Sequence, residues 1–151
     1  MGRMTPFLWY EGNVAEAMDF YRSVFPESKV VGTMPGPNGT LMGATFELDG
    51  QRFIAFAGGP HLQLTPAVSM YINCESQAEV DELWDKLTDG GSESQCGWLV
   101  DRFGLSWQII PSILPKLLSD PDREKAGRAM NAMLTMKKID IAALERAAAA
   151  K

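Results

Sequence analysis

His61 is the sole histidine of the chain, and an imidazole is the side chain whose proton moves most readily near neutrality. It follows Gly58-Gly59-Pro60 in a loop, where a lone histidine is usually solvated and acts as a base only if a substrate is held beside it. Cys96, next to Gly97, is a nucleophile candidate only if a base or cation draws off its proton. His61 could be that base, but nothing in the spacing brings the two together. Cys74 is the other cysteine. Neither belongs to a CxxC pair or a zinc-like spacing, so two free thiols in a reducing compartment are expected. Gly58-Gly59 is too short to cradle a phosphate and reads as a turn. The acids Asp81-Glu82 and Asp122 with Glu124 fall on expected helix surfaces, where solvated faces are the rule, and receive no acid–base role.

A second set of residues offers binding surface rather than reactivity. Trp9, Phe56, Tyr71, Trp98 and Trp107 all fall on expected strands. Alternation along a strand sends some of these rings under a helix and others to the opposite face, so about half of them are expected to line a pocket.

The elements that must carry these residues repeat. Phe7-Leu8-Trp9-Tyr10 is a run of strand formers stopped by Glu11-Gly12. Asn13 and Glu16 have the spacing of a capping box, and Val14, Met18, Tyr21 and Phe25 form one helical stripe that Pro26 ends. Strands are expected over Ser28 to Met34, Thr40 to Leu48 and Arg52 to Ala57, the last two joined through Asp49-Gly50. The order then returns. Val68 to Cys74 is a strand, and Ser76 with Glu79 a second capping box. Val80, Leu83, Trp84 and Leu87 form a second helical stripe closed by Gly90-Gly91. Trp98-Leu99-Val100 and Ser106 to Ile110 flank a turn at Asp101-Arg102-Phe103-Gly104, with a weakly signalled partner strand near Ser92 to Gln95. Two copies of one strand–helix–strand–strand–strand unit argue for a duplicated α+β fold.

Beyond Pro111 the pattern becomes helical and Met-rich. Asp120-Pro121 reads as a cap with proline at the first helical position. Ala126, Met130, Met133 and Leu134 read as an apolar helix face, and Asp140 as the cap of a last helix through Ala148. We expect residues 1–111 to form one domain, from modules at about 5–57 and 67–111. Residues 112–151 are expected as an extension packed on that domain or on a partner subunit.

At 151 residues, with 46% hydrophobic and 22% charged residues, the chain can bury a core without disulfide or metal support. A net charge of −5 with scattered Lys and Arg argues against nucleic acid as a partner. No apolar run has the length of a membrane span, and the N-terminal residues lack a signal peptide's apolar stretch, so a cytoplasmic address is expected.

With these motifs in place, the chain resembles the PhnB-like branch of the vicinal oxygen chelate superfamily, which includes glyoxalases, bleomycin-resistance proteins and extradiol dioxygenases. This branch is often labelled 3-demethylubiquinone-9 3-methyltransferase. The resemblance covers nearly the whole chain. It rests on Phe7-Leu8-Trp9-Tyr10-Glu11-Gly12-Asn13, on Asp19-Phe20-Tyr21-Arg22-Ser23-Val24-Phe25-Pro26, and on Gly58-Gly59-Pro60. Further matches are Cys74-Glu75-Ser76-Gln77 with Glu79-Val80-Asp81, the long stretch from Cys96-Gly97-Trp98 to Ser106-Trp107-Gln108, and in the tail Lys138-Ile139-Asp140-Ile141-Ala142-Ala143-Leu144. It implies two βαβββ modules forming a cupped mixed sheet, often completed in a homodimer. Metal-dependent relatives carry His, Glu or Gln on the first and last strands of each module. Carried over residue by residue, that pattern meets a donor only at Gln108. Phe53 to Ala57, Thr5 to Tyr10 and Val68 to Cys74 contain no His, Glu or Gln, and one neutral amide would leave a divalent ion mostly hydrated. In family sequences an aromatic is common where His61 stands, and Asn where Ala57 stands; both departures weaken any carry-over of function from this loop.

The expectation is therefore a metal-free, cofactor-free, homodimeric protein that binds a small, partly apolar or aromatic molecule. Trp9, Phe56, His61, Tyr71, Trp98, Ser106 and Gln108 are its pocket candidates, with Ser106 and Ile110 sharing a face with Gln108 if that residue points into the cup. The alternative is a lyase, isomerase or dioxygenase with a divalent metal in a degenerate site, His61 being the first loop ligand to suspect. The methyltransferase label fits poorly. Glu11-Gly12-Asn13 is a strand-to-helix turn with a single glycine, and antiparallel hairpins do not suit a doubly wound sheet.

Overall fold

In the computed structural model, which describes residues 2–150, the strand–helix–strand–strand–strand order occurs twice, once in each of two compact units that meet between Leu64 and Thr65. The first unit holds β1 (Phe7–Tyr10), α1 (Val14–Val24), β2 (Ser28–Pro35), β3 (Leu41–Leu48) and β4 (Gln51–Ala57). The second holds β5 (Ser69–Cys74), α2 (Gln77–Thr88), β6 (Ser92–Glu93), β7 (Trp98–Val100) and β8 (Ser106–Pro111). The sheet orders β1-β4-β3-β2 and β5-β8-β7-β6 are equivalent. In each, the first and last strands pair in parallel and the others antiparallel. The duplicated α+β fold is thus present as two four-stranded mixed sheets.

The helices bury the stripes that their spacing marks, except that Leu83 of α2 is only half-buried. In α1 these are Val14, Ala17, Met18, Tyr21 and Val24, facing Leu8, Tyr10, Phe46, Phe53 and Ala55. The hydroxyls of Tyr10 and Tyr21 meet at 2.9 Å, which satisfies both inside an apolar layer. In α2, Val80, Trp84 and Leu87 are buried on the side of Leu99, Trp107 and Ile109. Asp49 and Gly50 both have positive φ, 50° and 83°, as a tight two-residue hairpin requires. The corresponding turn in the second unit is built differently. The buried Asp101 carboxylate accepts the amides of Phe103 and Leu105 and the indole N–H of Trp107.

Three caps depart from the sequence expectation. Asn13 stands in the left-handed region at φ 61° and makes no capping bond; a side-chain cap needs an extended backbone, whereas Asn tolerates the left-handed one. Ser76 is extended and accepts the Glu79 amide at 3.2 Å, but the Glu79 carboxylate reaches the amide of Glu75 rather than that of Ser76. Asp120-Pro121 does not start a helix. Asp122 is the cap, accepting the amides of Glu124 and Lys125, while Asp120 accepts the Asp122 amide and pairs with Lys125.

The tail forms α3 (Ile113–Leu118), α4 (Arg123–Met133) and α5 (Ile141–Ala149). The first was not anticipated. Its Pro115 sits in the opening turn, where a missing N–H costs nothing. Leu114, Leu117, Ala129, Ile139, Leu144 and Ala148 form a core with Ile110 of β8. In α4 the buried residues are Ala126 and Ala129, whereas Met130 and Leu134, expected on the apolar face, are 40% and 57% exposed. The α4–α5 linker is fastened to the second unit. The amides of Cys96 and Gly97 donate to the carbonyls of Met136 and Lys137 at 2.8 Å, and the Gln77 amide bridges Ile139 and Ile141. Arg128 donates to the carbonyl of Ala148 at 2.7 Å, closing the C-terminus of α5. Among the described residues no helix is long and apolar enough to cross a membrane.

Candidate functional site

Each sheet has one face under its helix, and strand alternation sends a second set of side chains the other way. In the first unit this second face carries Phe7 and Trp9 of β1 beside Ile54 and Phe56 of β4, matched in register as Phe7–Ile54 and Trp9–Phe56. Ring centroids lie 5.7 Å apart for Phe7–Phe56, 5.4 Å for Trp9–Phe56 and 5.0 Å for Trp9–His61, the last edge-on. Trp9, Phe56 and His61 are thereby brought into one cluster. The Trp9 indole donates to the Gly59 carbonyl at 3.0 Å, and a Cβ at Gly58 would overlap the indole ring. The glycine pair is therefore a seat for Trp9. Beside these rings lies a cavity of about 230 Å³, lined by Phe7, Met34, Gly43, Thr45, Ile54 and Phe56 among others. Phe7, absent from the sequence-derived candidates, was findable from its two-residue spacing to Trp9; Met34 was not, because β2 shifts register against β3 near it.

Further along the same face the buried Glu47 carboxylate meets Arg52 at 2.9 Å and Lys29 at 3.7 Å. The Arg52 hydrogen bond holds its carboxyl below the usual range, opposed by burial and aided by Lys29. This acid is neutralised in place by its two cations, although it borders a small cavity with Glu27, Ser28, Lys29 and Gly50.

The second unit's equivalent face is polar. Tyr71, Gln108 and Trp98 stand side by side across β5, β8 and β7, and Ser69, Ser106 and Val100 form the next row. Gln108 donates through Nε2 to Ser69 Oγ at 3.0 Å. Ser106 is 1% exposed and its Oγ has no hydrogen-bond partner among the described residues. Partial burial raises the pKa of the Tyr71 phenol, which keeps it a neutral donor. Trp107 lies on the other side of β8, buried with Ile109. Ile110 shares the Gln108 face by alternation and is covered by the tail helices. Ser69 escaped sequence reading because nothing local distinguishes it.

These faces offer little to a cation. The positions on the first and last strands carry Phe7, Trp9, Ile54 and Phe56 in one unit, and Ser69, Tyr71 and Gln108 in the other. Among the described residues no group of three or more His, Cys, Asp or Glu is placed to hold a metal ion. A set of rings, hydroxyls and one amide does not fit a divalent ion, which needs several anionic or imidazole donors. Both cysteines are free thiols. Cys74 is buried, and that burial, with Glu79 and Glu75 nearby, pushes its pKa up to about 11, so it is no nucleophile. Cys96 has a φ of 60°, and its amide is bound to the tail.

Comparison with known proteins gives a consistent picture. The family model described as 3-demethylubiquinone-9 3-methyltransferase matches residues 2–110. A search of solved structures returns a PhnB protein from Bacillus cereus, 33% identical over 74% of this chain and 100% of that one, with a TM-score of 0.68. A Pseudomonas aeruginosa protein is 22% identical over 74% and 98% of the two chains, with a TM-score of 0.63. The fosfomycin resistance protein FosX from Listeria monocytogenes, solved with Mn(II) and sulfate, shares the fold at 17% identity over 70% and 88%, with a TM-score of 0.53. No curated protein matches the sequence. The family match stops at residue 110, so the tail helices, including the family-like Lys138 to Leu144, lie outside it.

Proposed function

Because the chain belongs to the 3-demethylubiquinone-9 3-methyltransferase (PhnB) family and shares its fold with FosX, we propose that it is a metal-free binding module of the vicinal oxygen chelate superfamily. In this reading it is a cytoplasmic homodimer that holds a small, partly apolar or aromatic molecule. The observation that carries the reading is the ring cluster of Phe7 and Trp9 on β1 and Phe56 on β4, joined by His61 from the following loop, on the strands where metal-dependent relatives need donors. The Phe7, Trp9 and Phe56 rings supply stacking and apolar contact, and the His61 imidazole alone would be too few donors for a divalent ion. Exposed Val30, Val31 and Met34 on the edge strand β2 favour a partner subunit. The methyltransferase label has no support in the structure, whose sheets are mixed rather than doubly wound and parallel.

Quenching of tryptophan fluorescence by 1-naphthol tests the binding surface, and retention of Mn(II), Ni(II) or Zn(II) after desalting tests the metal. We expect saturable quenching, weakened about tenfold in Phe56→Ala through loss of a ring contact, and only substoichiometric metal. One ion per chain, released by Gln108→Ala, would overturn the metal-free reading. Quenching indifferent to Phe56→Ala would remove the aromatic site.

A further inference from the structure

The polar row of the second unit has an unmet need that the aromatic cluster does not share. The Ser106 hydroxyl is buried without a partner among the described residues, a state that costs free energy unless something hydrogen-bonds to it. Next to it in register is Ser69, and on the same face Gln108 is bound to Ser69. That bond uses one Gln108 N–H and one lone pair of Ser69. In either orientation the amide keeps an N–H and a lone pair, and each serine keeps hydroxyl capacity. The group therefore offers neutral donors and acceptors together.

Among the described strand residues no ionised side chain shares this part of the face. By alternation its members are Ser69, Tyr71 and Asn73 on β5, Ser106 and Gln108 on β8, and Trp98 on β7. The nearby Glu93 pairs with Leu99 on the helix side and accepts the Trp84 indole N–H at 2.9 Å. A charged ligand group would lose hydration here with no counter-charge, whereas a neutral group with a donor and an acceptor on one edge would match the open capacity of Gln108 and Ser69. The backbones of Tyr71 and Trp98 lie on the strands either side of Gln108, about 10 Å apart at two strand spacings, which leaves room for a planar group over the amide. Beyond Gln108 the face is closed by Ile110 under Leu114, Leu117 and Ile139. That end wall is made of tail residues outside the family match.

We infer that Gln108 and Ser69, with the enclosed Ser106 hydroxyl behind them, form a hydrogen-bonding subsite for the edge of an uncharged planar group of the aromatic carboxamide or lactam class, stacked between Tyr71 and Trp98. The inference rests on the binding-module reading and specifies its ligand.

Benzamide, benzoate and toluene are suitable probes, titrated into isotope-labelled full-length protein and followed by NMR. Benzamide is expected to shift the Gln108 side-chain NH2 and the Trp98 indole signals, and benzoate to bind at least tenfold more weakly. Gln108→Leu, which keeps volume and removes the edge, should weaken benzamide about tenfold and leave toluene unchanged. Ser69→Ala should act in the same direction with a smaller loss, and serves if Gln108→Leu does not fold. Benzoate binding as tightly as benzamide, or benzamide binding indifferent to both variants, would overturn the subsite. Shifts confined to the Trp9 indole would also overturn it while leaving the binding-module reading intact; shifts at neither tryptophan would count against both.

Discussion

The two units share a topology strand for strand, yet their corresponding faces have diverged. Where β1 and β4 present Phe7, Trp9, Ile54 and Phe56, β5 and β8 present Ser69, Tyr71, Ser106 and Gln108. The first face is built from ring contacts and held by a glycine seat under Trp9. The second is built from hydrogen-bonding groups and ends against three helices that the first unit lacks. The lesson is physical. The face under each helix must stay apolar to close a core, and Leu8, Tyr10, Phe53 and Ala55 are matched there by Leu99, Trp107 and Ile109. The opposite face carries no such constraint, so duplication leaves it open to diverge into one apolar surface and one polar one.

The largest test of this contrast lies in the tail. Leu144 is fully buried in the cluster with Ile110, so Leu144→Ala should cost about 3 kcal/mol through transfer and cavity terms, read as a lower urea midpoint. In the folded variant the Gln108 side-chain signals should move while 1-naphthol quenching of Trp9 does not. Movement of both would break the distinction.

A smaller effect is expected at the glycine seat. A methyl group at Gly58 would overlap the Trp9 indole, and forcing the ring aside should cost about 1–2 kcal/mol, as overpacking does. Gly58→Ala should therefore shift the Trp9 emission and lower 1-naphthol affinity about tenfold, with benzamide binding at Gln108 unaltered. Retention of wild-type quenching would show that the seat does not shape the aromatic face.

The smallest effect concerns acid. Arg52 holds the Glu47 carboxyl below its usual range, so the folded pKa lies under the unfolded one. The stabilisation is then present above the unfolded value and lost as pH falls through the depressed one, below about pH 4. Glu47→Gln should flatten the stability profile in that window and leave it unchanged near neutrality apart from a constant offset. An identical acid profile would show that the ion pair contributes nothing.

Much of this molecule could be read from residue order alone. The stripe Val14, Met18, Tyr21 marks a helix face because 3.6-residue periodicity needs no tertiary partner to be visible. Asp49-Gly50 marks a hairpin because only a few residue types accept two consecutive positive φ values. Asp140 caps α5 as its spacing suggests. Local chemistry misleads at Asn13, where a capping residue takes the left-handed backbone instead, and at Asp120, where Asp122 two residues later holds the better geometry. At Met130 and Leu134 apolar character marks a helix face correctly but not its burial, since Ala126 and Ala129 take the closer approach to the neighbouring helices.

Alternation, turn chemistry and helical periodicity are properties of neighbours along the chain, and they determine two βαβββ units and a helical tail before any contact is known. Which side chains meet is a property of strand pairing, and pairing alone decides that Trp9 rests on Gly58, that Gln108 reaches Ser69 across 39 positions, and that Ser106 is buried with no hydroxyl partner among the described residues. Those contacts join residues distant in sequence, and the free energy that selects them comes from packing and desolvation, which no local pattern encodes.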